Sequence, residues 1–255
     1  MEYYVNVPLD RLEERLDFLV REGFHPEIRM TSVDYLMSLA EADFERLRGL
    51  IEKRSLSVFT HGPFFGLDIA SLDKSTSEYS ARSLMRGLEV TAALGGRIMV
   101  MHTGFLPFFS RGGRRHWFRN WSQRMPVIVE SALELGVALA LENSWEDRPE
   151  VLEFLLDVRP AGELKVCLDT GHLNVFSRLP ISRWWKVLGE KVVALHLHDN
   201  DGLSDDHLPP GKGTFDFRTL INLLKTCDPL PLIDLEVDHE HAVEGRRYLE
   251  SLFGQ

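Results

Sequence analysis

Cysteine is nearly absent from this chain: there are two in 255 residues, Cys167 and Cys227. That is too few for a disulfide framework and fits a reducing compartment, with both thiols read as core residues. Long apolar runs are missing as well, since none approaches the roughly 20 residues that cross a bilayer. Residues 1–19 carry Glu2, Asp10, Arg11, Glu13, Glu14 and Arg15, and so lack the uninterrupted apolar centre of a signal peptide. The expected location is the cytoplasm, with no membrane partner. Basic charge is not in excess: 39 acidic residues against 29 basic ones give a formal net charge of -10. That balance disfavours a broad electrostatic grip on nucleic acid or anionic lipid, although bound divalent metal would add local positive charge. Linkers, low-complexity tracts and charge blocks do not occur, so one domain over 1–255 is expected. There is no GxSxG elbow, GxGxxG, P-loop or HExxH, which removes serine-hydrolase, dinucleotide-binding and simple zincin chemistry.

What the chain does contain is alternation. Short β-rich runs at 3–7, 26–30, 57–61, 97–102, 137–142, 164–169, 192–198 and 230–236 are separated by segments with apolar residues at three- and four-residue spacing. Leu12, Leu16, Leu19 and Val20 form one such set, and Leu84, Leu88, Thr91, Ala92 and Leu94 another. Gly23, Gly95-Gly96, Gly136 and Gly189 stand where helices would end in a left-handed cap. Strand and helix repeated eight times in about 250 residues is the arithmetic of an α/β fold, the (β/α)8 TIM barrel. A doubly wound open sheet is the competing architecture.

In a barrel, the C-terminal strand ends share one face, so the side chains standing there matter most. Six successive strands finish on groups able to bind a divalent metal: His61, His102, Glu142, Asp169, the segment His196 to Asp199, and Glu236. One such ending is ordinarily a hydrogen-bonded structural residue. Six in order are harder to explain, because burying carboxylates and imidazoles together is very costly without a cation. Mixed imidazole and carboxylate donors suit Zn, Mn, Fe or Co better than Ca, and Mg fits a carboxylate-rich subset.

Alternation along a strand puts His196 and His198 on one side, and likewise Glu236 and Asp238, so either member of each pair is a candidate ligand. His172, in Asp169-Thr170-Gly171-His172, and Asp205 with His207, in Asp205-Asp206-His207, add candidates from loops. His239 and His241, at the start of the last helix, are expected to be solvated, and Cys167 to fill the barrel. Pro209-Pro210-Gly211-Lys212-Gly213 reads as a turn that shapes a pocket, presents amides to an anion, or merely connects. After strand four, Phe105-Leu106-Pro107-Phe108-Phe109 precedes Arg111, Arg114, Arg115 and Arg119, interleaved with Trp117 and Trp121. A phosphate-recognising lid, a subunit contact, a nucleic-acid platform, and helix packing with solvated arginines all fit that loop.

These segments together resemble the xylose isomerase-like TIM-barrel superfamily, which holds sugar isomerases and epimerases and the endonuclease IV group (AP endonuclease family 2). The resemblance runs nearly end to end. Its carriers are Thr60-His61-Gly62-Pro63-Phe64, Val100-Met101-His102-Thr103-Gly104, Leu141-Glu142-Asn143, Cys167-Leu168-Asp169-Thr170-Gly171-His172, His196-Leu197-His198-Asp199-Asn200 and the run from Asp205 to Gly213. It implies that Glu142, Asp169, His196 and Glu236 form a metal quartet. For endonuclease IV it further implies a three-zinc centre, with His61, His102 and Glu142 at one ion and His172, Asp205 and His207 at another.

Two segments depart from endonuclease IV. Asn143-Ser144-Trp145-Glu146-Asp147 replaces a small, glycine-containing stretch, and the loop Thr31-Ser32-Val33-Asp34 lacks the arginine inserted into DNA. The pairing of Asp-Thr-Gly-His with His-Leu-His-Asp-Asn looks most like the sugar phosphate isomerase/epimerase group. The expectation is therefore a metal-dependent enzyme (one Zn, Mn, Co or Mg per chain) acting on a small sugar through a metal-stabilised enediolate, with Glu142 and Glu236 as the proton-transfer pair. The alternative is zinc-dependent hydrolysis of DNA at abasic sites, with up to three Zn. A barrel that keeps metal only for stability or ligand capture is a third class.

Overall fold

The computed structural model describes residues 1–158 and 162–254. Eight parallel strands close on themselves in sequence order: β1 (Tyr3–Pro8), β2 (His25–Arg29), β3 (Phe59–His61), β4 (Ile98–His102), β5 (Ala138–Glu142), β6 (Lys165–Asp169), β7 (Val192–His196) and β8 (Leu232–Leu235). Closure is made by β1 pairing in parallel with both β2 and β8, which excludes the open sheet. Between them run α1 (Leu12–Glu22), α2 (Val33–Ser38), α3 (Glu41–Glu52), α4 (Lys74–Ala93), α5 (Arg111–Leu135), α6 (Pro149–Leu155), α7 (Thr170–Phe176), α8 (Ile181–Leu188), α9 (Phe217–Leu224) and α10 (His239–Phe253). None of these helices is long and apolar enough to cross a membrane.

The strands sort their residues by parity, because successive side chains leave opposite faces. Met99 and Met101, Leu139 and Leu141, Val166 and Leu168, and Leu195 and Leu197 belong to the large apolar layer shared with the helices. Their alternates, Val100, Ala140, Cys167 and Ala194, join Tyr4 and Phe59 in a smaller cluster inside the barrel. The lower interior is thus filled by four small or medium side chains and two aromatic rings. Followed upward, the same inward row ends on His102, Glu142, Asp169 and His196, which is how a period of two carries polar groups to the mouth.

Sequence boundaries shift in a few places. The third strand begins at Phe59 rather than 57, and the seventh stops at His196, so His198 lies on the chain that turns away. Residues 33 and 34 open a helix, capped by the Ser32 hydroxyl accepting from Tyr35 N at 3.2 Å, where a loop was expected. The segment 105–121 is a loop only as far as Ser110; α5 starts at Arg111 and buries Trp117 and Trp121. Gly23 and Gly136 take the left-handed cap, at φ 69° and 66°. Gly189 does not: its φ is -52°, and its lack of a side chain serves Trp185, whose Nε1 would lie 2.8 Å from an added Cβ.

Candidate metal centre

Glu142, Asp169, His196 and Glu236 project donor atoms that lie within 4.8 Å of one another, and all four residues are buried. His196 is the pivot. Its Nδ1 is 3.2 Å from Glu236 Oε2, 3.6 Å from Glu142 Oε1 and 3.8 Å from Asp169 Oδ2, yet that nitrogen makes no hydrogen bond and is sealed from solvent. A buried imidazole nitrogen without a partner, facing three carboxylates, is the arrangement a divalent cation satisfies and protein atoms alone do not. One nitrogen with three carboxylates is also an ordinary donor set for such an ion. The residues present therefore fit a metal.

Two further donor groups adjoin this one. His61 Nε2 and His102 Nε2 lie 2.9 and 3.2 Å from Glu142 Oε2, while His61 Nδ1 bonds its neighbour Gly62 through the carbonyl at 2.8 Å. On the other side His198, Asp205 and His207 form a compact trio. His207 Nε2 is 3.3 Å from Asp205 Oδ2, its Nδ1 donates to Glu236 O at 2.8 Å, and its ring stacks on His198 with centroids 4.0 Å apart. Holding it there takes a φ of 50°, a left-handed backbone that costs on the order of 1 kcal/mol for a residue with a side chain.

The expected trio of His172, Asp205 and His207 thus has a competitor in His198. His172 instead spans two groups, with Nδ1 3.1 Å from Glu142 Oε1 and Nε2 3.4 Å from Asp205 Oδ2. His198 Nε2 donates to Asp169 Oδ2 at 3.2 Å and lies 3.0 Å from Oδ1. The barrel brings all nine sequence-selected residues to one mouth. Of the two open pairs, His196 faces the quartet and His198 the trio, whereas Glu236 is buried and Asp238 is exposed at the start of α10. His241 is exposed as expected. His239 is half-buried, bonding Asn6 O at 2.8 Å and stacking on Phe18, because α10 begins directly over β1.

Sequence reasoning passed over Glu27. It is buried on β2 and bonds His196 Nε2 at 2.9 Å, so the imidazole is gripped on one nitrogen and aimed with the other. The signal was available: Glu27 and Arg29 occupy the inward parity of β2 where an apolar residue would be ordinary. Arg29 Nη1 sits 3.6 Å from Glu236, and its Nε is buried without a partner. Asp234 is a further buried carboxylate, and burial first, then the charge of Glu27, pushes its pKa well above the usual range.

Asn143 ties the ends of β5 and β6 like one more ladder rung, its amide donating to Asp169 O at 3.0 Å and accepting from Asp169 N at 2.8 Å. Glu146 is buried and accepts from Thr103 Oγ1 and from Ser144 N, joining the loops after β4 and β5. The glycine-rich turn after Asp205 is also accounted for. Asp199, buried just past β7, accepts from Gly211 N, Gly213 N and Phe215 N at 2.9 to 3.0 Å, so those amides are committed to an internal carboxylate. At Gly213 a Cβ would lie 2.1 Å from Asn200 O, which leaves no room for any other residue.

Electrostatics follow one pattern at the donor groups. Burial disfavours the charged form of each group, and the opposite charges around it more than compensate. Glu142 is held well below the usual carboxylate range by His102 and His196, and Glu236 by His196. Despite burial, His196 is raised well above its ordinary value by Cys167, Glu27, Glu236 and Glu142, and His172 by Asp169, Asp205 and Glu142. Against burial again, Asp205 and Glu236 lift His207 to about 9. Without a cation, protons supply the positive charge that this cluster of carboxylates demands.

The sequence profile of the xylose isomerase-like TIM barrel family matches residues 22–252. The TTHB071 protein of Thermus thermophilus, in a structure soaked with ZnCl2, is 31% identical, with TM-score 0.85 over 100% of this chain and 98% of that one. A D-tagatose 3-epimerase-like protein shares the fold, at 22% identity and TM-score 0.87 over 100% of this chain and 97% of that one. The uncharacterized protein MJ1311 of Methanocaldococcus jannaschii is 26% identical over 227 residues, covering 86% of this chain and 73% of its own length.

Proposed function

The chain belongs to the xylose isomerase-like TIM barrel family, and on that premise we propose that it is a divalent-metal-dependent isomerase or epimerase of a small sugar or sugar phosphate. One observation carries the reading. Glu142 and Glu236 reach a single imidazole nitrogen, His196 Nδ1, from 3.6 and 3.2 Å although they leave the ring at β5 and at the end of β8. Carboxylates so placed border a small substrate from two sides, which suits removal of a carbon-bound proton on one face and its return on the other.

Glu142, Asp169, His196 and Glu236 would hold the ion, and this donor set admits Zn, Mn, Co or Mg. When bound, a divalent ion supplies Lewis-acid polarisation of neighbouring carbonyl and hydroxyl oxygens. The rest is done by the chain. The imidazoles of His102 and His196 keep Glu142 ionised against burial, so it enters as a proton acceptor; Glu236, likewise held ionised by His196, must take a proton from solvent before it can return one on the opposite face. Glu27 orients His196, and Arg29 sets its guanidinium 3.6 Å from Glu236. The test is exchange in deuterated water with a panel of ketopentoses, ketohexoses and their phosphates. Deuterium is expected beside the carbonyl and is expected to vanish in Glu142→Gln and Glu236→Gln. Turnover that survives in both variants refutes the two-carboxylate scheme.

A second reading, phosphodiester hydrolysis at abasic DNA sites, is favoured by a separate observation: His61 with His102 and His198 with Asp205 and His207 add two donor groups, one sharing Glu142 with the quartet. A single-ion isomerase has no evident use for them. Three zinc per chain together with nicking of an abasic duplex would establish this reading, and failure to nick with zinc supplied at low salt would remove it.

A further inference from the structure

The arginine-rich start of α5 remains outside the metal centre. A cavity of about 640 Å³ lies against its first turns, walled by Phe109, Phe118 and Phe154 and lined by Arg111, Arg115 and Arg119. This is the size of a small-molecule pocket. The three arginines follow at i, i+4 and i+8, so they stack along one face of the helix, where like charges repel. Several arginines on other helices and loops of this acidic chain pair with carboxylates: Arg11 with Glu14, Arg48 with Glu52, Arg86 with Glu89 and Arg148 with Asp147. Among the described residues, Arg111, Arg115 and Arg119 make no ion pair or hydrogen bond, and no carboxylate lines the cavity. Arg114 is pinned at its edge, bonded to Pro107 O at 2.7 Å and lying over the Phe105 ring.

Half of Phe154 is exposed, and its ring sits 4.7 Å from that of Phe118, so the cavity offers flat apolar faces beside unpaired guanidiniums. The positive end of a 25-residue helix adds to the field. Guanidiniums select phosphate oxygens and rings select a planar partner. A net charge of -10 argues against an extended polyanion.

We propose that this cavity binds a nucleoside phosphate, with its phosphates along Arg111, Arg115 and Arg119 and its base against Phe118 and Phe154. The proposal is independent of the reading of the metal centre. Calorimetric titration of the metal-loaded protein with ADP, pyrophosphate and adenosine tests it. ADP is expected to bind one per chain. Arg115→Ala/Arg119→Ala should weaken it about tenfold or more, with metal content unchanged, and Phe154→Ala should weaken ADP but not pyrophosphate. Pyrophosphate should bind more weakly than ADP, and adenosine weakest. No ADP binding overturns the proposal. So does equal affinity in the double arginine variant, which would place ADP elsewhere, or pyrophosphate as tight as ADP, which would deny the rings a role. A single-stranded oligonucleotide that binds this face more tightly than ADP would overturn it in favour of nucleic acid.

Discussion

Glu27 is the most informative residue to perturb, because among the described residues its hydrogen bond into the metal centre runs through His196. Its Oε1 accepts from His196 Nε2 at 2.9 Å, which keeps the proton on that nitrogen, so the proton an entering cation displaces is the one on Nδ1, and the lone pair it frees faces Glu142, Asp169 and Glu236. Its charge also makes the imidazole a better base. Loss of such a carboxylate behind a metal-binding histidine typically lowers metal affinity 10- to 100-fold, about 1.4 to 2.7 kcal/mol. Glu27→Gln keeps the shape and an acceptor but removes the charge, so we expect a loss near the lower bound. Glu27→Ala also leaves the buried Nε2 proton without a partner, at about 1 to 3 kcal/mol of stability, and should approach the upper bound. The assay is competition against a metal-chelating dye on metal-stripped protein, paired with thermal melting. If Glu27→Gln and Glu27→Ala both bind zinc within about twofold of the parent, Glu27 does not orient the ligand and the argument fails.

Other expectations follow from the same geometry. In the metal-free protein His196 and His172 hold protons well above the ordinary histidine range and His207 up to about 9. An entering cation must displace them, so affinity should climb as pH rises from about 6 to 9 and calorimetry in buffers of different ionisation enthalpy should register proton release; a flat profile would contradict this. Gly171→Ala would set a Cβ 1.9 Å from the buried His198 ring, so it should destabilise by about 3 kcal/mol and lower Tm by several degrees. Gly112→Ala, with open space around it, serves as the control; equal melting of the two would refute the clash. Asp199→Ala strips an acceptor from the amides of Gly211, Gly213 and Phe215, and a loss of about 3 kcal/mol is expected by denaturant titration. Elemental analysis of protein purified without added metal should return one divalent ion per chain for the isomerase reading, whereas three zinc would favour the hydrolase.

Much of this protein was legible along the chain because it depends on neighbours one or two residues apart. Eight β-rich runs between helical periodicities pointed to the (β/α)8 fold ahead of a doubly wound sheet, and the ends of those runs picked out His61, His102, Glu142, Asp169, His196 and Glu236. What the chain alone left open are relations between atoms brought together only by closing the ring. His196 and His198 share parity, and they part company because β7 ends between them and the chain turns. Asp238 shares parity with Glu236 but has already left the barrel for α10. Glu27 gains its meaning only when β2 and β7, far apart in sequence and on different sides of the ring, point at one another across the interior. The glycine turn at 211–213 reads equally as a pocket wall, an anion cradle or a plain connection until Asp199 is found to take its amides. Parity is a local property of an extended backbone, whereas convergence is set by closure and by the stagger of parallel strands, and these arise only when all eight pair.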